Sequence, residues 1–291
     1  MNRRDLLKTL PAMAAASRLA PAAPAEGKRA RLRSAICCYS YRDALSKKVM
    51  TYEDIVRAAV DHNIDGLDAT VYWLDTSDES LLRLKRTAYM NSVDLYSISV
   101  STEMTQPTPE GQAKQVAGLK KWIDVAGKLG AGHIRIFGGR IPKESNEEQA
   151  AGWVVEVLKP CAEYAAKAGV ILGLENHGGI TEKAEVILGI VKRVDSPWVA
   201  VNLDTGNFNR NAYEQMEMLM PYAAAVQVKM DVRVGPGGTR EASDWDRIAG
   251  LLVKSGYRGY LSLEYEAKEP AETAMPRLLK KLDGICRKYS A

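Results

Sequence analysis

Eight strand-like segments alternate with helix-length segments from Arg33 to the end of the chain. Each strand candidate is a short, mostly apolar run, whereas the stretches between carry mixed charge and apolar residues at helical spacing. The strand candidates are SAICCYSY, IDGLDATVY, DLYSISVS, GHIRIFGG, GVILGLEN, WVAVNLD, AAVQVKMD and GYLSLEYE. Strand then helix, eight times over, is typical of an α/β protein with a (βα)8 TIM barrel. The sequence therefore predicts a single barrel domain over residues 33–291.

Residues 1–25 have the pattern of an export signal. Arg3 and Arg4 are followed by a leucine pair, an alanine-rich stretch and Ala-Pro-Ala segments suited to cleavage. This order is typical of a twin-arginine signal peptide, which predicts the twin-arginine export machinery as a partner and a periplasmic location. A basic tail or a retained anchor are the alternatives. Because the apolar stretch is short and interrupted by Arg18, no stable membrane insertion is expected.

Charge and cysteine content exclude several classes of protein. Residues 1–25 hold four basic side chains and one acidic side chain, so the net charge of +4 falls to +1 without them. A chain so close to neutrality, without a basic stripe, is not expected to bind nucleic acid. The cysteines lack CxxC spacing and are expected to be buried thiols rather than disulfides; they are Cys37, Cys38, Cys161 and Cys286.

Four of the strand candidates end in a polar residue with the same parity. Period-two alternation places Glu175, Asp204, Gln227 and Glu264 on the face that looks into a closed barrel. Parallel strands end at the same rim, so these side chains are expected to converge where such barrels carry their active sites. Three buried carboxylates repel one another unless cations or protons compensate them. A divalent metal site is therefore predicted.

The stretches GLENHGG, NLDTGN, VQVKMDVR and WDRIAGLLVKSGYRGYLSLEYE resemble the xylose-isomerase-like barrels of sugar isomerases and epimerases. The resemblance implies one divalent ion held by Glu175, Asp204, Gln227 and Glu264. It also implies that Glu175 and Glu264 act as acid and base on the two faces of an enediolate. The endonuclease branch of the same family needs many histidines, whereas this chain has three.

Gln227 departs from the family pattern, which usually has histidine at this position. An amide oxygen is a harder and weaker ligand than imidazole, and an all-oxygen set favours Mn2+, with Mg2+, Ca2+, Co2+ and Zn2+ as alternatives. The substitution also permits the alternative of a site that has lost its metal and its catalysis.

Further side chains are predicted to contact the substrate. Arg233 has the same inward parity as Gln227 and Lys229, and it falls where the epimerases have an arginine on substrate oxygens. Either Arg233 or Lys229 could stabilise an enediolate, or simply balance the acids. Arg135 has inward parity on the fourth strand. Trp73 offers an apolar face to a sugar ring, with core packing as the alternative.

Three more polar residues are expected near the strand ends. His177 is predicted as a substrate-binding residue, with metal ligation, acid–base chemistry or a loop-capping role as alternatives. Asn207 matches a residue that flanks the metal in the epimerases, and Asp68 points inward from the second strand; both are expected to support the ligands. His62 and His133 are interpreted as structural. The GPGG segment at 235–238 is interpreted as a flexible loop on the active face or an ordinary connector.

These patterns predict a metal-dependent isomerase or epimerase that acts through an enediolate on an unphosphorylated sugar or sugar derivative. A lyase or hydrolase of 3-keto-glycosides would use the same residues. A non-catalytic sugar-binding protein on a degenerate barrel is the third alternative, because fold alone does not establish activity. The sequence leaves the oligomeric state open, and a homo-oligomer is compatible with it.

Overall fold

The computed structural model describes residues 31–290, and the predicted export signal lies outside this range. Eight parallel strands close into a barrel in which neighbours in sequence are neighbours in space, and the last strand pairs with the first. The predicted (βα)8 barrel is therefore confirmed. The barrel strands are β1 (Arg31–Cys37), β2 (Gly66–Thr70), β3 (Asp94–Ser99), β4 (His133–Ile136), β5 (Ile171–Glu175), β6 (Val199–Asp204), β7 (Ala223–Val228) and β10 (Arg258–Leu263).

The helices form a ring around the barrel. They are α1 (Arg42–Ser46), α2 (Tyr52–Asp61), α3 (Asp78–Met90), α4 (Pro109–Leu129), α5 (Glu147–Ala168), α6 (Ala184–Val194), α7 (Ala212–Leu219), α8 (Trp245–Lys254) and α9 (Ala271–Ser290). Reciprocal side-chain and backbone bonds cap the start of α2 at Thr51 and of α5 at Asn146. Between residues 31 and 290, no helix has the length and apolarity needed to cross a membrane.

The first two barrel strands are shorter than predicted. Short 3-10 turns over Cys38–Tyr41 and Val71–Trp73 follow them, where the sequence suggested continued strand. The reason is that the ladders of β1 end at Cys37 and those of β2 end at Thr70, so beyond these residues neither segment has a ladder partner to hold it extended. Trp73 consequently lies on the rim above the barrel.

The strand predicted around VQVKMD also ends early. β7 stops at Val228, and the chain leaves the barrel wall to form an antiparallel hairpin of β8 (Asp231–Val234) and β9 (Thr239–Ala242). The GPGG segment is the turn of this hairpin, with Gly235 and Gly238 at φ values of +62° and +67° that favour glycine. The hairpin follows the carboxyl end of β7, so it stands on the active face.

Alternation along the strands separates an aliphatic layer from a polar interior. Leu174, Leu203, Val226 and Leu263 are fully buried in the core between barrel and helices. Their chain neighbours Glu175, Asp204, Gln227 and Glu264 are buried inside the barrel. All four cysteines are buried free thiols, as predicted.

Candidate active site

The four polar residues predicted to meet at the strand ends are all buried at the mouth of the barrel. Glu175 and Asp204 are the last residues of β5 and β6, Gln227 lies one residue before the end of β7, and Glu264 directly follows β10. Asp204 and Gln227 are register partners in adjacent strands. The exposed fractions of the four residues range from 0% for Asp204 to 6% for Glu264.

The Lys229 ammonium lies among the acids. Its Nζ atom is 3.5 Å from Asp204 Oδ2 and 3.4 Å from Glu264 Oε1, and it forms an ion pair with Glu266 at the rim. Only 12% of the Lys229 side chain is exposed. Burial acts to lower the pKa of Lys229, but the three carboxylates outweigh burial and raise it. Lys229 is thus a fixed positive charge inside the mouth.

A second cation neutralises Glu175. The Arg135 Nε atom lies 3.0 Å from Glu175 Oε2. Asn207 donates a hydrogen bond to the other carboxylate oxygen at 3.0 Å, and Asn202 donates a longer one to Oε2 at 3.5 Å. Burial raises the pKa of Glu175, and the Arg135 charge opposes that shift.

Gln227 uses both ends of its amide within the barrel. Its carbonyl oxygen accepts a hydrogen bond from Asn202 Nδ2 at 2.8 Å, and its amide nitrogen donates to Asp68 Oδ2 at 3.3 Å. Asp68 also accepts from the Ser99 hydroxyl at 2.7 Å. Asp68 therefore supports Gln227 from inside the barrel.

Burial shifts the remaining carboxyl groups toward the neutral form. It raises the pKa of Glu264 to about 7, with Lys229 acting in the opposite direction. Burial likewise raises the pKa of Asp204, again opposed by Lys229. A carboxyl group whose pKa lies near neutrality can both accept and donate a proton at ordinary pH.

The arrangement of these side chains does not fit the predicted divalent ion. Among residues 31–290, no three histidine, cysteine, aspartate or glutamate side chains are placed to hold a metal together. The oxygens that would ligate it contact protein donors instead: Lys229 for Asp204 and Glu264, Arg135 for Glu175, and Asn202 for Gln227. Part of the charge compensation that motivated the prediction of a metal is supplied by two side-chain cations, Lys229 and Arg135.

An aromatic ring separates two of the predicted substrate-binding residues. Phe137 lies between the Arg135 guanidinium, 4.1 Å from its ring centre, and the His177 imidazole, stacked at 3.9 Å. His177 lies at the exposed rim, and its backbone N–H donates to Thr181 Oγ1. Partial burial of the ring, with help from Arg135 and Lys229, lowers the pKa of His177 to about 4. His177 is thus a neutral ring near the mouth.

Trp73 belongs to an aromatic cluster on the rim formed with Tyr39 and Tyr72. The rings of Trp73 and Tyr39 stack with centroids 6.1 Å apart, and Tyr72 meets both rings edge-on. Tyr39 is close enough to Glu266 and Glu264 that their charges contribute to its raised pKa, after the larger effect of burial. The cluster therefore borders the acid site.

Arg233 lies outside the barrel interior. It is exposed on the β8–β9 hairpin, where it lines a groove of about 310 Å³ together with Asn207, Lys229 and Glu266. Its predicted inward parity assumed that β7 continued through Met230, and the hairpin breaks that continuity. The groove nevertheless connects Arg233 with Lys229.

Several residues of the site were not singled out from the sequence. Asn202 and Phe137 lie two positions from Asp204 and Arg135, so a full application of period-two parity would have found both. Glu266 lies two positions beyond Glu264 and has the same parity, whereas Tyr39 follows the end of β1 and no sequence pattern marks it. His133, interpreted as structural, is buried at the opposite end of β4 from the mouth.

Comparison with known proteins gives the same fold. The family described as xylose isomerase-like TIM barrel matches residues 56–284. A D-psicose 3-epimerase crystallised with D-fructose superposes with a TM-score of 0.71 at 15% identity, covering 88% of this chain and 99% of that one. The 3-keto-D-glucoside 4-epimerase of E. coli gives 0.65 at 12% identity, covering 81% and 94%.

A third solved structure is that of the IolI protein with a bound zinc atom. It has a TM-score of 0.68 at 14% identity and covers 88% of this chain and 99% of that one. None of the curated proteins matches the chain. At these identities, the solved structures establish the fold.

Proposed function

Because this chain belongs to the xylose isomerase-like TIM barrel family, we propose that its barrel mouth isomerises or epimerises a sugar through an enediolate. One observation carries the proposal: two buried glutamates stand at the strand ends, each beside its own cation. Glu264 lies 3.4 Å from Lys229, and Glu175 lies 3.0 Å from Arg135. The sugar epimerases among the similar structures support this reaction class.

The first step is removal of a proton from the carbon next to the sugar carbonyl. Glu264 is the base, since its pKa of about 7 leaves much of it ionised and able to accept a proton. The Lys229 ammonium donates a hydrogen bond to the carbonyl oxygen as this oxygen becomes negative. An oxyanion beside a fixed, poorly solvated cation is stabilised far more than it is in water.

The second step returns a proton to carbon. Return from Glu175 to the other face of the same carbon inverts its configuration and gives an epimer, whereas return to the neighbouring carbon gives an aldose–ketose isomerisation. Arg135, Asn202 and Asn207 hold the Glu175 carboxyl in one orientation through its two oxygens. Glu175, whose pKa burial raises, carries a proton before this step. Glu264 then ends the turnover protonated and Glu175 ends it ionised, and proton exchange with water restores both, so no other reactant is required.

The charge of the mouth favours an unphosphorylated substrate. The interior holds four acids and two cations, and Glu266 adds a further carboxylate at the rim. The acids are Asp68, Glu175, Asp204 and Glu264, and the cations are Arg135 and Lys229. A phosphate group would meet a surplus of negative charge here.

A lyase acting on 3-keto-glycosides is the second candidate, and the rim aromatic cluster favours it. Tyr39, Tyr72 and Trp73 provide apolar ring faces next to the acids, suited to a second ring of a glycoside. In this reaction the base removes the proton from C2, the resulting electron pair expels the aglycone oxygen from C1, and an acid protonates that oxygen. The same two glutamates, Glu175 and Glu264, would supply this base and this acid.

Export by the twin-arginine machinery to the periplasm forms part of this proposal, and the Arg3-Arg4 pair supports it. Metal dependence, as predicted from the sequence, is not carried forward, because Lys229, Arg135 and Asn202 already lie against the side chains that would ligate the ion.

Incubation in heavy water tests the reaction class. The protein is incubated with free ketoses, aldoses and 3-keto-glycosides, and deuterium incorporation and products are followed by NMR. We expect incorporation that falls at least about 100-fold in Glu264→Gln, the range associated with loss of a general base. Glu156→Gln, an exposed position on α5, makes the same chemical change as a control. Sugar binding without incorporation would instead indicate a non-catalytic binding protein.

A further inference from the structure

We propose that the Lys229 ammonium is the resident cation of this site and stands in place of a divalent metal ion. The role of Lys229 in catalysis rests on the proposed function. Its exclusion of a metal ion can be tested without any sugar. The observation behind it is that one Nζ atom contacts both Asp204 and Glu264, two of the four expected ligands.

The backbone of Lys229 is fixed from both sides. Its N–H donates to Thr205 Oγ1 at 3.0 Å, and its carbonyl oxygen accepts from the Trp245 indole at 2.9 Å. Trp245 is itself buried as the first residue of α8. The side chain of Lys229 therefore extends from a fixed backbone position directly after β7.

The aliphatic stem of Lys229 runs against a glycine that leaves room for it. A β-carbon added at Gly206 would lie 2.6 Å from both Cβ and Cγ of Lys229. The Gly206 N–H also donates to Asp204 Oδ1 at 2.8 Å. The same residue thus orients Asp204 and lets the lysine stem pass, which directs the ammonium toward the acids.

A metal ion and this ammonium would compete for the same oxygens. A divalent ion binds carboxylate oxygens at about 2.0–2.6 Å, which would place it against the Lys229 Nζ atom. Asp204 Oδ2 has no hydrogen-bond donor in the described part of the chain, so the nearby lysine is its charge partner. Metal binding would require the Lys229 ammonium to leave the two carboxylates that it shares with the predicted ligand set, Asp204 and Glu264.

Gln227 removes a further ligand. Its amide oxygen accepts a hydrogen bond from Asn202, and its amide nitrogen donates one to Asp68. Turning the amide to face a metal would break both bonds. Gln227 and Lys229 therefore both disfavour a metal ion at this site.

Mn2+ titration of the chelator-treated protein tests this inference. The wild type is compared with the double variant Lys229→Met/Gln227→His by calorimetry and by the electron paramagnetic resonance signal of free Mn2+. We expect the double variant to bind one Mn2+ per chain, on the order of 10- to 100-fold more tightly than the wild type. Stoichiometric binding by the wild type, as tight as in the double variant, would overturn the proposal.

The wild-type titration needs no variant, so the proposal stays testable if the double variant does not fold. Lys121→Met/Ala113→His, at two exposed positions of α4, is the control for nonspecific metal binding to a new histidine. Absence of deuterium exchange with every sugar, with and without Mn2+, would contradict the proposed function and leave the result for Lys229 unaffected.

Discussion

Arg135 Nε lies 3.0 Å from Glu175 Oε2, and their side chains are only 4% and 3% exposed. Both ions have lost their water, so the pair depends on contacts that the surrounding fold supplies, which for Glu175 include Asn202 and Asn207. Arg135 also lies over the ring of Phe137, whose other face covers His177. Arg135 consequently links the acids inside the barrel with the stacked rings of Phe137 and His177.

Replacement of Arg135 by methionine leaves Glu175 buried without its cation. We expect the free energy of unfolding to fall by about 3–5 kcal/mol, the range for breaking a buried pair. Urea denaturation measures the change, with Arg86→Met on the exposed face of α3 as the control. Arg135→Met/Glu175→Gln is expected to recover part of the loss. A loss no larger than that of the control would contradict the account.

His133 is predicted to make the fold sensitive to acid. Its Nδ1 atom lies 2.8 Å from Ser97 Oγ, and Nε2 has no partner in residues 31–290. Burial, with the Arg135 charge, lowers the pKa of His133 from 6.5 to about 3. The unfolded chain therefore binds more protons in this window, and stability falls as the pH drops from 6.5 toward 3, by at most about 1.4 kcal/mol per pH unit.

His133→Gln removes that contribution. The expected result is a flatter dependence of unfolding free energy on pH between 6.5 and about 3 than in the wild type, measured by urea denaturation at a series of pH values. His62→Gln, on the outer side at the end of α2, should keep the wild-type slope. Parallel curves for His133→Gln and the wild type would be incompatible with the prediction.

Gly206→Ala is expected to push the Lys229 stem away from the acids. A β-carbon 2.6 Å from two carbons of the lysine requires a shift, and overpacking of this kind typically costs about 1–3 kcal/mol. Gly118→Ala, in an open part of α4, is the control and should stabilise the helix by about 0.5–1 kcal/mol. Thermal unfolding of both variants gives the comparison, and equal behaviour would count against a close contact at Gly206.

The export prediction concerns the first residues of the chain. Arg3→Lys/Arg4→Lys keeps both charges and removes the arginine pair, so a twin-arginine substrate should remain in the cytoplasm. Fractionation of cells that express the full chain measures this, with Arg31→Lys/Arg33→Lys, at the start of the barrel, as the control. Unchanged periplasmic recovery would refute the twin-arginine route.

The sequence predicted the barrel and the four strand-end side chains because both follow from local periodicity. Period-two alternation places Glu175, Asp204, Gln227 and Glu264 inside without any knowledge of contacts. Gly130 and Gly169 end α4 and α5 for an equally local reason, since each takes a left-handed backbone conformation.

What could not be predicted depends on contacts between distant segments. The bond between Asn202 and Gln227 joins two strands, and the position of Lys229 depends on Gly206, Thr205 and Trp245 together. Parity also failed for Arg233, because pairing in the β8–β9 hairpin replaced pairing along the barrel. The prediction of a metal followed from the need for positive charge, which the lysine and Arg135 meet by tertiary packing.

The most direct test of the account is the rate of deuterium incorporation by the wild type in the presence of a chelator. Deuterium is expected to enter the sugar at the same rate in excess EDTA and in excess Mn2+, because Lys229 and Glu264 are part of the chain itself. Exchange that vanishes in EDTA and returns with Mn2+ would contradict it.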